Sequence, residues 1–168
     1  LTDKSGPFVL LARIFRRVMK RIVDYRKLFN ADQDTDLAQL KLMYRKLVKE
    51  WHPDKFQDGD ALKDEAEIKS KVIIDAYHFL VSIAPETREA HLEEYTQIVS
   101  SNMITDFHYK GQLLKVTFHN GSVYEYFGVK PNVYTKFKNT PTPERFARRH
   151  VFHSHLFRNV TKAVEETV

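Results

Sequence analysis

The spacing of apolar residues changes once along this 168-residue chain, and that change constrains the fold more than any single residue does. Up to about Tyr95 apolar side chains recur every three or four positions, the period of one helix face. From Met103 they recur every second position, the period of one sheet face. A chain patterned in this way is expected to hold an all-helical domain followed by a small α+β domain, an antiparallel meander with two short helices. Its hydrophobic fraction of 42% suits folded cores of that size.

In the first part Phe8, Leu11, Phe15, Val18, Ile22 and Tyr25 form one stripe, with Arg13, Arg16, Arg17, Lys20 and Arg21 largely elsewhere. This predicts a basic amphipathic helix over residues 8–28, suited to an anionic membrane surface or nucleic acid, and equally to packing on the next domain with a solvated basic face. Asp34-Thr35-Asp36 offers N-caps for a second helix whose core stripe is Leu37, Leu40, Tyr44, Leu47 and Trp51. On its other side Lys41, Arg45 and Lys49 recur every fourth residue with Lys46 beside them. Such a face repels itself and is best explained by an acidic partner. Pro53 disfavours helical geometry at His52, so the helix is expected to stop there. After a polar loop to Asp60 that contains Gly59, the stripe Leu62, Ala66, Ile73, Ala76, Tyr77 and Leu80 predicts a return helix and a helical hairpin. Pro85 is placed to open a further helix running through Arg88 and Leu92 toward Tyr95.

In the second part Leu114, Val116 and Phe118 alternate with Lys115, Thr117 and His119, and Asn120-Gly121 leads into Ser122 to Phe127. Asn-Gly between alternating segments predicts a type I′ hairpin turn, and Lys110-Gly111 an earlier turn, so three strands are expected. That register would set Tyr124 and Tyr126 on the face of Lys115 and Thr117, opposite Val116 and Phe118. Pro131 to Lys138 and Pro143 to Arg149 predict short helices. The expected organisation is a basic extension over 1–24, a helical domain over 25–96, a linker over 97–103, the α+β domain over 104–160 and a tail over 161–168.

Charge divides the chain similarly: eight basic against two acidic side chains over residues 1–27, nine against fifteen over 28–103, and nine against three over 104–160. With no cysteine, disulfides, thiolate nucleophiles and cysteine-based zinc sites are excluded. The longest apolar run, Pro7 to Ala12, falls far short of the ~20 residues of a membrane span. A cytoplasmic chain is expected, peripheral to a membrane if a segment upstream of Leu1 carries an anchor. His150, His153 and His155 lack a carboxylate or cysteine in the same stretch and are expected to be surface or structural residues, not metal ligands.

His52-Pro53-Asp54 lies in the loop of the helical hairpin, directly after the cationic helix, with Tyr44 and Trp51 on that helix and Ala76-Tyr77 and Leu80 on the return. On Tyr44-Arg45-Lys46-Leu47, His52-Pro53-Asp54-Lys55 and Ala76-Tyr77-His78-Phe79-Leu80, residues 25–95 resemble the J-domain of DnaJ-type co-chaperones. The resemblance implies that the chain docks on a DnaK-type ATPase chaperone and stimulates its ATP hydrolysis. His52, Pro53 and Asp54 would be the trigger, and Lys41, Tyr44, Arg45, Lys46, Lys49 and Lys55 the docking surface. The chain would need no cofactor and would not itself be an enzyme, since no nucleophile, metal cluster or glycine-rich phosphate loop accompanies His52 and Asp54.

The strand region carries Ser101-Asn102-Met103-Ile104, then Leu114, Val116, Phe118, Asn120-Gly121, Val123-Tyr124, Tyr126 and Gly128-Val129, then Val133-Tyr134 and Phe146. On these residues 100–159 resemble the KTSC domain, a module first noted at the C-terminus of some lysyl-tRNA synthetases. The resemblance implies a nucleic-acid- or protein-binding role that targets the chain to a client. Independently, Lys136, Lys138, Arg145, Arg148, Arg149 and Arg158 gather positive charge near Tyr124, Tyr126 and Tyr134, a combination suited to phosphate contact and base stacking. If the short helices cover that sheet face instead, the tyrosines are structural. The alternative function is an RNA-binding protein in which the J-like hairpin is a structural arm.

Overall fold

The structure, a computed structural model, describes residues 20–57 and 61–161. Val23–Glu89 forms one compact unit, and the described residues from Ala90 onward belong to a second. Most of the stripe expected over residues 8–28, Phe8, Leu11, Phe15 and Val18 included, lies outside the described residues, as do Gly59 and residues 162–168.

Helix α1 runs through residues 20–29, of which those from Val23 on belong to the first unit, and closes at Asn30, whose positive φ of 49° is a backbone state that asparagine tolerates. The amide of Ala31 donates to the carbonyl of Arg26, and that of Asn30 to Lys27, which satisfies two of the last carbonyls of the helix. Helix α2 spans Leu37–Trp51 and opens on a capping box: the Asp36 carboxylate accepts from the Gln39 amide while the Gln39 side chain accepts from the Asp36 amide. Such a cap is worth about 1 kcal/mol. Helix α3, Ala61–Ile83, returns against α2, and α4, Pro85–Ala90, follows with proline in its first turn as expected.

The core of this unit is Phe29, Leu40, Ala66, Ile73, Ala76, Phe79, Leu80, Ile83 and Ala84. Of the expected α2 stripe only Leu40 is fully buried; Leu37, Tyr44, Leu47 and Trp51 are half-covered. Tyr77 of α3 stacks on Tyr44 at 4.2 Å between ring centres and on Phe29 at 6.4 Å. Tyr25 meets Phe79 edge-on at 5.5 Å, and its hydroxyl donates to Asp75. Aromatic pairs thus fasten α1 and α2 to one helix. Leu62, expected in the stripe of α3, is 48% exposed.

In the second unit, helix α5 spans Leu92–Ser101, so the expected linker over 97–103 is largely helix. The reason is burial: Tyr95, Ile98 and Val99 belong to the C-terminal core, and Tyr95 stacks on Phe157 at 3.9 Å. The helix expected to run from Pro85 to Tyr95 is interrupted at His91, and of its two parts only α5 carries fully buried residues.

The sheet is antiparallel in the order β1-β2-β3-β4, with β1 Ile104–Lys110, β2 Leu113–Phe118, β3 Val123–Phe127 and β4 Leu156–Asn159. The fourth strand exceeds the three expected. The two-residue turn with positive φ at both centres is Gly111-Gln112, at 59° and 63°. At the other hairpin only Gly121 has positive φ, at 83°; the Phe118 amide donates to the Ser122 carbonyl and the Gly121 amide to the Phe118 carbonyl. This is a three-residue loop, and it shifts the register by one. Val116 faces Tyr124 and Leu114 faces Tyr126, so both tyrosines lie on the face of Val116 and Phe118, contrary to the expected pairing. Their face is the core. It is covered by α5, by α6 over Pro131–Asn139 and by α7 over Pro143–His150, with Phe107 edge-on to Phe137 and Tyr109 stacked on Tyr134.

Candidate functional site

The C-terminal end of α2 delivers the first candidate site. His52 leaves helical geometry at φ −67° and ψ 126°, as the following Pro53 demands, and Pro53–Lys55 closes into a single 3-10 turn. The Lys55 amide donates to the His52 carbonyl and the Phe56 amide to that of Pro53. The Asp54 amide donates to Nδ1 of His52 at 3.3 Å, so the ring presents Nε2–H outward in its neutral form. Nδ1 also lies 3.5 Å from an Asp54 carboxylate oxygen. The two side chains are 48% and 87% exposed. A local network therefore holds a shaped, solvent-facing donor and acceptor.

Behind the turn, Lys69 of α3 sits 3.4 Å over the Trp51 ring and pairs with Glu65 at 2.7 Å. This cation–aromatic clasp ties the last turn of α2 to the return helix. Lys69 was not among the expected site residues; no spacing rule links it to Trp51, because the pair forms only across the hairpin. Lys41, Arg45, Lys46 and Lys49 are exposed on α2, and none has an ion-pair partner among the described residues. Lys55 is exposed in the turn, while Tyr44 is half-buried against Tyr77.

The second candidate site is split by the structure. Tyr124 and Tyr126 are buried, Tyr126 completely, so neither is placed to stack a base. Burial pushes the Tyr124 phenol up to about 12 and that of Tyr126 well above its ordinary value. Arg158 pairs with Glu125 at 2.7 Å, both largely covered, within a row that reads His108, Lys115, Glu125, Arg158 across all four strands. Arg148 donates to the carbonyls of Ser100 at 3.1 Å and Val99 at 3.4 Å, capping α5. These two arginines serve the fold.

Lys136 and Lys138 on α6 and Arg145 and Arg149 on α7 remain exposed. Arg145 and Arg149 line an open cleft of about 270 Å³ with Thr140, Thr142, Phe146 and His150, and the Phe146 and His150 rings lie 4.6 Å apart. His153 is exposed and His155 bonds the Val151 carbonyl through Nδ1 at 3.2 Å. Among the described residues no three His, Asp or Glu side chains gather as a metal site, and no helix is long and apolar enough to cross a membrane.

Comparison with known proteins finds likeness of two kinds. The KTSC domain matches residues 100–155. The chain is 42% identical over 86 residues to a tetratricopeptide repeat and J domain-containing co-chaperone of Fusarium oxysporum, an alignment covering 51% of this chain and 16% of that protein. It is 41% identical over 68 residues to the chaperone protein DnaJ of Azorhizobium caulinodans, covering 40% and 16% of the two chains. It is 37% identical over 59 residues to DnaJ homolog subfamily B member 6 of Bos taurus, covering 35% and 23%. The chain thus matches less than a quarter of the length of each of these relatives. No solved structure matches it. A helical hairpin bearing His-Pro-Asp, DnaJ-family relatives over the N-terminal part, and a four-stranded sheet beneath three helices where the KTSC domain matches together support an architecture of a J-domain joined to a KTSC domain.

Proposed function

We propose that this chain is a co-chaperone that binds a DnaK-type ATPase chaperone through its J-domain and stimulates ATP hydrolysis there. The observation that carries this reading is a pre-bent, outward-facing His52-Pro53-Asp54 turn continuous with a helix face whose four cations lack acidic partners among the described residues. Pro53 fixes its own φ and the turn's hydrogen bonds fix the rest, so little ordering entropy is left to lose on docking. Asp54 is suited to accept a charge-assisted bond from an arginine of the partner, and His52 to donate from Nε2. The lysines supply steering and a salt-sensitive on-rate. Hydrolysis belongs to the partner, whose conformational equilibrium shifts because one of its states fits this surface better.

Single-turnover ATP hydrolysis by a DnaK-type chaperone tests this. The wild-type chain is expected to raise the rate and His52→Gln to abolish the increase. No stimulation, or stimulation indifferent to the substitution, would overturn the reading.

In this reading the KTSC domain delivers the complex to its client. A second reading gives that domain an RNA ligand; it rests on Arg145 and Arg149, exposed in one cleft beside the Phe146 and His150 rings. RNA affinity that falls steeply with added salt is its signature.

A further inference from the structure

Leu42 is 70% exposed, the most exposed large apolar side chain among the described residues. It lies on α2 beside Lys41, with Arg45, Lys46 and Lys49 three, four and seven residues further on, so these cations are its neighbours on the helix surface. A single exposed leucine is ordinary. Its surroundings here are not. An acidic residue at position 42 would form ion pairs with Arg45 and Lys46 and relieve the repulsion along this face. The chain instead carries an apolar group at a place where an anion would stabilise the helix. Position 42 also continues toward the trigger: His52 ends the same helix ten residues on, about 15 Å away.

We propose that Leu42 is a specificity-determining anchor for the DnaK-type partner, inserting into an apolar pocket whose rim is acidic; this rests on the docking reading above. The cations complement the rim and remain partly solvated, so they govern encounter. Leucine is desolvated at the centre, so it governs residence time. An apolar centre within a charged rim is the usual anatomy of an interface hot spot.

The test measures binding of the full chain to ATP-bound bacterial DnaK across a salt series, with hydrolysis followed in parallel. Leu42→Ala is expected to weaken binding about tenfold, mostly through faster dissociation, at every salt concentration. Leu42→Met, which keeps volume and polarity, is expected to bind as the wild type. Lys41→Ala should lose affinity mainly at low salt. Because Leu42 is exposed, thermal unfolding of all three variants should match the wild type. Leu42→Ala binding within twofold of wild type would overturn the inference while leaving the docking reading intact. So would a loss that disappears as salt rises. A wild-type chain that neither binds nor stimulates overturns both.

Discussion

At the scale of single residues, the cations of the KTSC domain separate by what they touch. Arg158 is spent on Glu125 and Arg148 on the last carbonyls of α5, whereas Arg145 and Arg149 point into an open cleft. Substituting Arg158 by alanine leaves a largely covered carboxylate without its partner and should cost roughly 1–3 kcal/mol of stability. It should leave RNA affinity unchanged. Arg145→Ala with Arg149→Ala should do the reverse: an unaltered unfolding midpoint in urea, and, if the domain binds RNA, weaker binding with a shallower salt dependence. Equal behaviour of the two sets in filter binding and denaturation would contradict the division of labour. Sequence spacing could not separate these arginines, because the acid and carbonyls that occupy two of them arrive from β3 and α5.

At the scale of elements, the β2–β3 hairpin decides what the sheet offers. Asn120-Gly121 is the strongest turn signal in the chain, yet the two-residue turn with both φ values positive falls at Gly111-Gln112. The turn after Phe118 takes three residues, and that single residue carries Tyr124 and Tyr126 from the open face to the core. Packing explains the choice: with this register Tyr126, Tyr124, Phe118, Val116 and Leu114 meet Tyr95, Phe137 and Phe152 in one apolar cluster. The alternative would set two tyrosines in water and leave gaps beneath the helices. Gly121, at φ 83°, has nothing within 4 Å of where a side chain would begin, so strain alone opposes substitution. Gly121→Ala should therefore destabilise the chain by about 1 kcal/mol, measured by urea unfolding. A neutral result would show that the loop relaxes into another turn.

At the scale of the whole molecule, buried phenols tie the second unit to pH. Burial raises the pKa of Tyr95, Tyr124 and Tyr126 above the ordinary phenol value of 10.0, Tyr124 to about 12. In the unfolded chain these groups lose their protons near 10, while in the folded chain they hold them. Their contribution is fully present below that value and is lost as pH rises through the folded pKa values. Stability should thus fall between about pH 10 and 12 and beyond. Melts at increasing alkaline pH, with tyrosinate absorbance as the second readout, should show phenol ionisation coinciding with loss of β structure. Ionisation near pH 10 without unfolding would show the phenols to be accessible.

The sequence by itself determined whatever local chemistry controls. The change of period placed helices before strands, Asp36 capped α2, Pro53 ended it at His52, Pro131 and Pro143 opened α6 and α7, and the residues around His-Pro-Asp and the strand pattern carried both family resemblances. These features depend on neighbours within a turn or two. The tertiary structure decided what depends on distant partners: that α5 joins the second core, that a fourth strand completes the sheet, that the tyrosines are buried, and that Arg158 and Arg148 are held by β3 and α5. Each of those outcomes turns on contacts between residues remote in the chain, such as Tyr95 with Phe157 and Glu125 with Arg158, whose pairing no periodicity encodes.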